Sequence, residues 1–169
     1  MAIVLSVFPA TGKTYAVEHG VGNYRIIDSD SSKFSWVERV DVNGNTIKVR
    51  NPDFPDNYVD HIRENLKRND LDFIFVSSHT EVRAAMDTAG IPYQIVYPQV
   101  DCLAEWIGRM YLRGNDDKFI RFIVANWYPF MAEISPETMR IPNRLWRLKR
   151  WEYLEDILTP LAQLITTQG

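Results

Sequence analysis

The stretch Ala2-Ile-Val-Leu-Ser-Val-Phe-Pro-Ala-Thr-Gly-Lys-Thr14 runs from a continuous apolar segment straight into a Gly-Lys-Thr tripeptide. Residues 2–8 lack the alternation of a half-exposed strand, so they predict a strand buried on both faces. Pro9 and Gly12 break that strand, and a short helical stretch comes next. Working outward, a second strand is expected at Tyr24–Ile27, leading at once into Asp28-Ser29-Asp30. Tyr58, Ile62 and Leu66 recur every four residues and predict a helix. A third strand is expected at Leu71–Ser77 and a fourth at Tyr93–Tyr97. Between these two, Thr80 can cap a helix that ends before Gly90. Strands alternating with helices predict an α/β fold: a three-layer sandwich around a parallel sheet of four or five strands. Ligands in such sheets sit beyond the carboxyl ends of the strands.

Two segments depart from this alternation. Over residues 37–50, Asn43-Gly44 between two β-prone runs predicts an inserted hairpin closed by a type I′ turn. Asn51-Pro-Asp-Phe-Pro55 is a loop. Helices are expected over about 101–113 and 116–127, broken at Gly114 and Asn115. In residues 135–169, an appended helical segment is expected, with Trp151, Leu154, Leu158, Leu161 and Ile165 forming its apolar stripe. Pro160 predicts that the stripe splits into two short helices, the second capped by Thr159. The expected division is therefore a core of 1–134, carrying the 37–50 hairpin and the 101–127 helices, and an appended 135–169.

With 169 residues the chain suits one sizeable core. A net charge of −3 argues against a protein that coats nucleic acid through its whole surface. The single cysteine, Cys102, rules out a disulfide framework within the chain and fits a cytoplasmic setting. The apolar N-terminal run is too short to span a membrane, so no membrane association is expected.

Val7-Phe8-Pro9-Ala10-Thr11-Gly12-Lys13-Thr14 matches the last three positions of the phosphate-loop pattern G-x-x-x-x-G-K-[ST], with Val7 in place of the first glycine. The strand before it and the helix after it strengthen the match. In such a loop, backbone N–H groups make an anion site, the lysine bridges β- and γ-phosphates, and the hydroxyl holds Mg²⁺. The alternative is a tight turn with a surface lysine.

The chain resembles P-loop kinases of the adenylate-kinase-like group, and most of all the small kinases encoded by bacteriophages. The resemblance runs from residue 2 to about 130. It is carried by Phe8–Thr14, Asp28-Ser-Asp-Ser-Ser-Lys-Phe-Ser-Trp36, Arg50-Asn-Pro-Asp-Phe-Pro55, Val76-Ser-Ser-His79 and Arg113-Gly114. It implies ATP and Mg²⁺ as cofactors, phosphotransfer to a nucleotide or nucleoside, and a host-cytoplasmic setting. It implies that Pro9, Ala10, Thr11, Gly12, Lys13 and Thr14 bind ATP. Thr14 and Asp28 would serve the metal, while Asp28 or Asp30 would orient metal-bound water or the acceptor. Arg109 and Arg113, which share a helix face before Gly114, would close over the phosphates.

Further acceptor contacts are expected from Phe34 and Trp36 by stacking, from Arg50 by pairing a phosphate, and from Tyr58 and His79. Each has a plainer reading: a polar turn at Asp28–Asp30, packing for the aromatics, a solvated face for the arginines, a cap for His79. Arg140, Arg144, Arg147, Lys149 and Arg150 interleave with Trp146 and Trp151, so nucleic acid is a lesser alternative partner and a homo-oligomer is left open. Two rival functions remain. One is phosphotransfer to a hydroxyl of DNA, at a 5′ end or a modified base, or of a small metabolite. The other is a non-catalytic nucleotide-binding module.

Overall fold

The computed structural model describes residues 1–134 and 144–168. The protein is α/β, with a five-stranded parallel sheet in the order β2 (Ile26–Asp28), β5 (Phe73–Ser77), β1 (Ile3–Val7), β6 (Tyr93–Pro98), β7 (Leu145–Leu148) and helices flanking it. This is compatible with the expected three-layer sandwich. The chain divides into two compact units, one of Met1–Ser6 with Gly22–Tyr93 and one of Val7–Val21 with Gln94–Gly169.

The first unit holds most of β1 (Ile3–Val7), then β2 (Ile26–Asp28) and β5 (Phe73–Ser77). From Val4 onward β1 is buried residue after residue, and so is β5 up to Val76, as their unbroken apolar runs require. Strands β2 and β5 pair in parallel, bringing Asp28 opposite Phe75. Helix α3 (Asp56–Leu66) inserts Tyr58, Val59 and Ile62 into this core and packs on α4 (Thr80–Thr88). Helix α4 begins one residue earlier than expected. His79 is its N-cap and Thr80 its first residue.

The hairpin forms as expected from β3 (Trp36–Val40) and β4 (Thr46–Arg50), after a single turn of helix α2 (Ser32–Ser35). Its turn is not the expected type I′. Among the described residues, Asn43 has no left-handed backbone, whereas Gly44 does, at φ 82°. Asp41 N–H donates to Asn45 O, and the Asp41 carboxylate accepts from the N–H groups of Asn43 and Asn45. That carboxylate favours an ordinary turn ending in a left-handed glycine over a two-residue connection.

The second unit holds α1 (Lys13–His19), β6 (Tyr93–Pro98), α5 (Leu103–Leu112) and α6 (Asp117–Glu133). The expected helix over 101–113 opens as a 3₁₀ turn at Val100–Cys102. Helix α6 runs six residues past its expected end and through Pro129. Ile120, Ile123, Trp127 and Met131 are all buried, and that stripe outweighs one missing backbone hydrogen bond. Asp116 caps it by accepting from Phe119 N–H at 2.7 Å.

The appended segment is not wholly helical. Leu145–Leu148 forms β7, the fifth strand, parallel to β6. Nor does Pro160 split the last helix. Helix α7 spans Leu154–Gln168 in one piece, with Leu154, Ile157, Leu158 and Leu161 buried. Among the described residues, no helix is long and apolar enough to cross a membrane.

The Asp41 turn yields a pH prediction. Backbone N–H bonds, first from Asn45 and then from Asn43, hold the Asp41 carboxyl below its ordinary value. A lowered folded value means the turn is supported above the unfolded value and loses that support as pH falls through the folded one. Below about pH 4, the Asn43 and Asn45 amide resonances should shift together with Asp41 protonation. Asp41→Ala should abolish that titration in an NMR pH series.

Candidate functional site

The segment between β1 and α1 is held from behind. Trp106 Nε1–H donates to Pro9 O at 2.9 Å. Arg109 Nη1 donates to Ala10 O at 3.5 Å. Leu154 N–H donates to Thr11 O at 3.0 Å. Three successive carbonyls of the loop are thus bound to α5 and to the segment entering α7. Thr11 is fully buried, and its hydroxyl donates to Phe8 O at 3.0 Å. Phe8 is anchored by its N–H to Val96 O and by its ring against Tyr97 and Trp127.

The backbone of this loop alternates in hand. Ala10 has φ 61° and Gly12 φ 96°, while Thr11 between them is not left-handed. Residues of alternating hand turn their successive N–H groups to one concave side, which forms an anion-binding nest. A left-handed alanine costs about 1 kcal/mol. Here that conformation is imposed by the three carbonyl bonds. Helix α1 is seven residues long and has Gly12 as its N-cap. Gly12 has a second reason to be glycine, because an added Cβ would lie 3.1 Å from Tyr153 Cδ1.

Arg109 organises this support. Its side chain is 6% exposed and pairs with Glu105, 13% exposed, at 2.6 Å. Its guanidinium lies over the rings of Trp106 at 4.0 Å and Tyr153 at 3.8 Å, and donates to Glu152 O at 2.8 Å. Glu105 Oε1 also accepts from Trp151 N–H. Expected to close over phosphates, Arg109 is instead buried and committed to holding the loop. Arg113 is exposed at the end of α5, with Nε donating to Asn115 Oδ1 at 2.9 Å.

Lys13 and Thr14 open α1, the lysine half-buried and the threonine exposed. A groove of about 460 Å³ opens beside Tyr153, lined among others by Glu105, Gly108, Leu112 and Trp151. Trp151 is 80% exposed and stands on a left-handed backbone, φ 64°.

The remaining candidates lie in the first unit. Asp28 ends β2, with its Oδ1 shut away from solvent. Asp30 is exposed, and its two carboxylate oxygens accept from Ser32 N–H and Ser32 Oγ–H, at 2.9 and 2.8 Å. The plainer reading, a polar turn, therefore describes Asp30 well. Tyr58 is fully buried, so it is not a surface for an acceptor. Its hydroxyl donates to Ser29 O and accepts from Ser77 N–H, tying the ends of β2 and β5 together. Burial, first of all, raises its pKa well above the ordinary tyrosine value.

Phe34 packs its ring on Tyr58 and His61, and its carbonyl accepts from Asn51 and Asn57. Trp36 is half-exposed. Arg50 pairs with Glu81 and stacks over Phe54 at 4.5 Å, with Trp36 farther away at 5.8 Å. His79 is exposed at the end of β5.

The basic C-terminal run does not form one solvated helix face. Arg140 lies outside the described residues. Arg147 turns inward to Pro98 O at 2.9 Å, and burial lowers its pKa. Among the described residues, no group of three or more His, Cys, Asp or Glu could hold a metal ion.

Sequence reasoning missed Trp106, Glu105, Tyr153 and the Leu154 N–H. The i, i+4 spacing of Glu105 and Arg109 could have signalled the ion pair. The bond from Leu154 back to Thr11 has no local signature. Compared with known proteins, the chain matches no family model and no curated protein.

Removing one partner of a buried ion pair strands the other. Arg109→Met should lower unfolding free energy by roughly 3–5 kcal/mol, measured by urea titration. Adding Glu105→Gln to it should restore part of that loss.

Proposed function

We propose that the protein is an ATP-dependent phosphotransferase of the P-loop kinase type, acting on a nucleotide or nucleoside. The observation that carries this reading is the loop of Pro9–Gly12. Its carbonyls are bound to α5 and the segment entering α7, and Ala10 and Gly12 on it are left-handed. Such a backbone leading directly into Lys13 and Thr14 would gather N–H groups into a concave site that fits a triphosphate tail. It is difficult to explain as a mere turn, because a turn needs neither a left-handed alanine nor a buried arginine behind it.

In this reading the amides of the loop hold the β-phosphate, and the Lys13 ammonium offsets charge on the β and γ oxygens. In the second unit Thr14 is the residue suited to Mg²⁺, which would supply further charge neutralisation at the phosphates. Arg113, exposed beside Gly114, would be the arginine that meets a phosphoryl group. Arg109 acts through the loop as a positioning residue. The groove beside Tyr153, with exposed Trp151 at its edge, suits the nucleoside end of the donor, because an aromatic face stacks on a base.

A second reading, phosphotransfer to a hydroxyl carried by DNA or a small metabolite, is favoured by Asp28, since a hydroxyl must lose a proton and a phosphate acceptor need not.

Calorimetric titration with Mg-ATP should show saturable binding to the wild type. Lys13→Ala should weaken it at least tenfold, a loss of about 1.4 kcal/mol or more, with an unchanged circular dichroism spectrum. Equal binding by the variant would remove Lys13 from the site.

A further inference from the structure

We infer that Gly108 sets the size of the donor base and that the groove beside Tyr153 is shaped for a purine, which deepens the reading above and rests on it. The groove lies wholly within the second unit. Ala104, Gly108 and Leu112 of α5 line it together with Arg150, Trp151 and Tyr153. Two features of this lining are unfavourable to the fold on its own. The first is Gly108, in the middle of the ten-residue helix α5. Glycine there is a poorer helix former than alanine, because it loses more backbone freedom on folding. Its backbone is not left-handed, so no turn calls for glycine. Close packing does not call for it either, because an added Cβ would meet nothing within 4 Å. Gly12 is the contrast, left-handed and closely approached by Tyr153.

The second feature is Trp151. Its indole is largely exposed, and its backbone is left-handed at φ 64°, a conformation that a bulky residue seldom takes. Glu105 Oε1 accepts from its N–H at 2.9 Å and so helps to hold it there. Backbone strain kept in place by a neighbour marks a position where the direction of the side chain matters. The indole supplies a flat apolar face, and the glycine leaves the helix backbone bare. A planar ring in the groove would stack on the one and approach the other where any Cβ would hold it off. A bicyclic base covers more apolar surface than a monocyclic one, so the groove favours purines over pyrimidines. Asp101 and Arg150, both exposed in the same lining, offer an acceptor and donors to the edge of the ring.

The test pairs stability with binding. Gly108→Ala should raise Tm by about 2–4 °C, as alanine does in a helix where nothing obstructs its methyl group. By calorimetry the same variant should bind Mg-ATP roughly tenfold more weakly than wild type, because the methyl group crowds the ring. Mg-CTP should lose less, and magnesium tripolyphosphate, which carries no base, should bind both proteins alike. A purely structural role would not raise stability and lower affinity together. Unchanged affinity of Gly108→Ala for Mg-ATP overturns the inference. So does a lowered Tm, which would give the glycine a purpose in the fold. Equal affinity of the wild type for Mg-ATP and Mg-CTP overturns the assignment to purines. Tripolyphosphate separates this inference from the reading beneath it. If it binds and Mg-ATP binds no better, the groove assignment fails while the phosphate loop stands. If it does not bind while Mg-ATP still tells the two proteins apart, the phosphate loop fails while Gly108 keeps its role. No binding of any of the three removes both.

Discussion

Three hydrogen bonds to the carbonyls of Pro9, Ala10 and Thr11 govern the shape of the loop after β1. Each comes from a distant part of the sequence: the Trp106 indole, the Arg109 guanidinium and the Leu154 backbone. With those carbonyls engaged, Ala10 and Gly12 take left-handed backbone, the hand from which an anion-binding nest of N–H groups can be built. The aromatic rings of Trp106 and Tyr153 against Arg109 help keep that guanidinium from water and strengthen its bonds. Glu105 completes the arrangement by offsetting the buried charge and by accepting from Trp151 N–H. The proposed anion site is thus built as much by the segment after β7 as by the Gly-Lys-Thr tripeptide itself. Helix α7 is fixed there by its own cap, since Asp156 reaches back to accept from Tyr153 N–H.

In the unit of Met1–Ser6 and Gly22–Tyr93, one buried hydroxyl does comparable work. Tyr58 joins Ser29 O to Ser77 N–H and so holds the ends of β2 and β5 in place beneath Asp28. Its apolar ring is covered by Phe34 and Phe54, which leaves the hydroxyl as its one polar demand, and both bonds satisfy it.

Legibility in the sequence tracked the range of the forces involved. Strands β1, β5 and β6 were readable because burial on both faces writes an unbroken apolar run. The hairpin was readable because Asn43-Gly44 is a local signal, but its turn type was not, because Asp41 decides it from two residues away. Strand β7 carries Arg147 and Trp146, a composition that reads as a polar helix. Only its parallel pairing with β6 makes it a strand. Prolines 129 and 160 read as breaks, yet buried stripes on both sides of each kept the helices whole. Gly12, Lys13 and Thr14 were legible as a motif. The burial of Arg109 was not, because its partners Glu152 and Tyr153 lie more than forty residues on in the chain.

The amide groups of Ala10, Thr11 and Gly12 report most directly on the proposed cradle. Their ¹⁵N–¹H resonances should move downfield on addition of Mg-ATP, and further than other backbone amides of the second unit, because new hydrogen bonds to phosphate oxygens deshield the protons. Saturating nucleotide that leaves these three resonances in place would contradict the account, whether or not other residues responded.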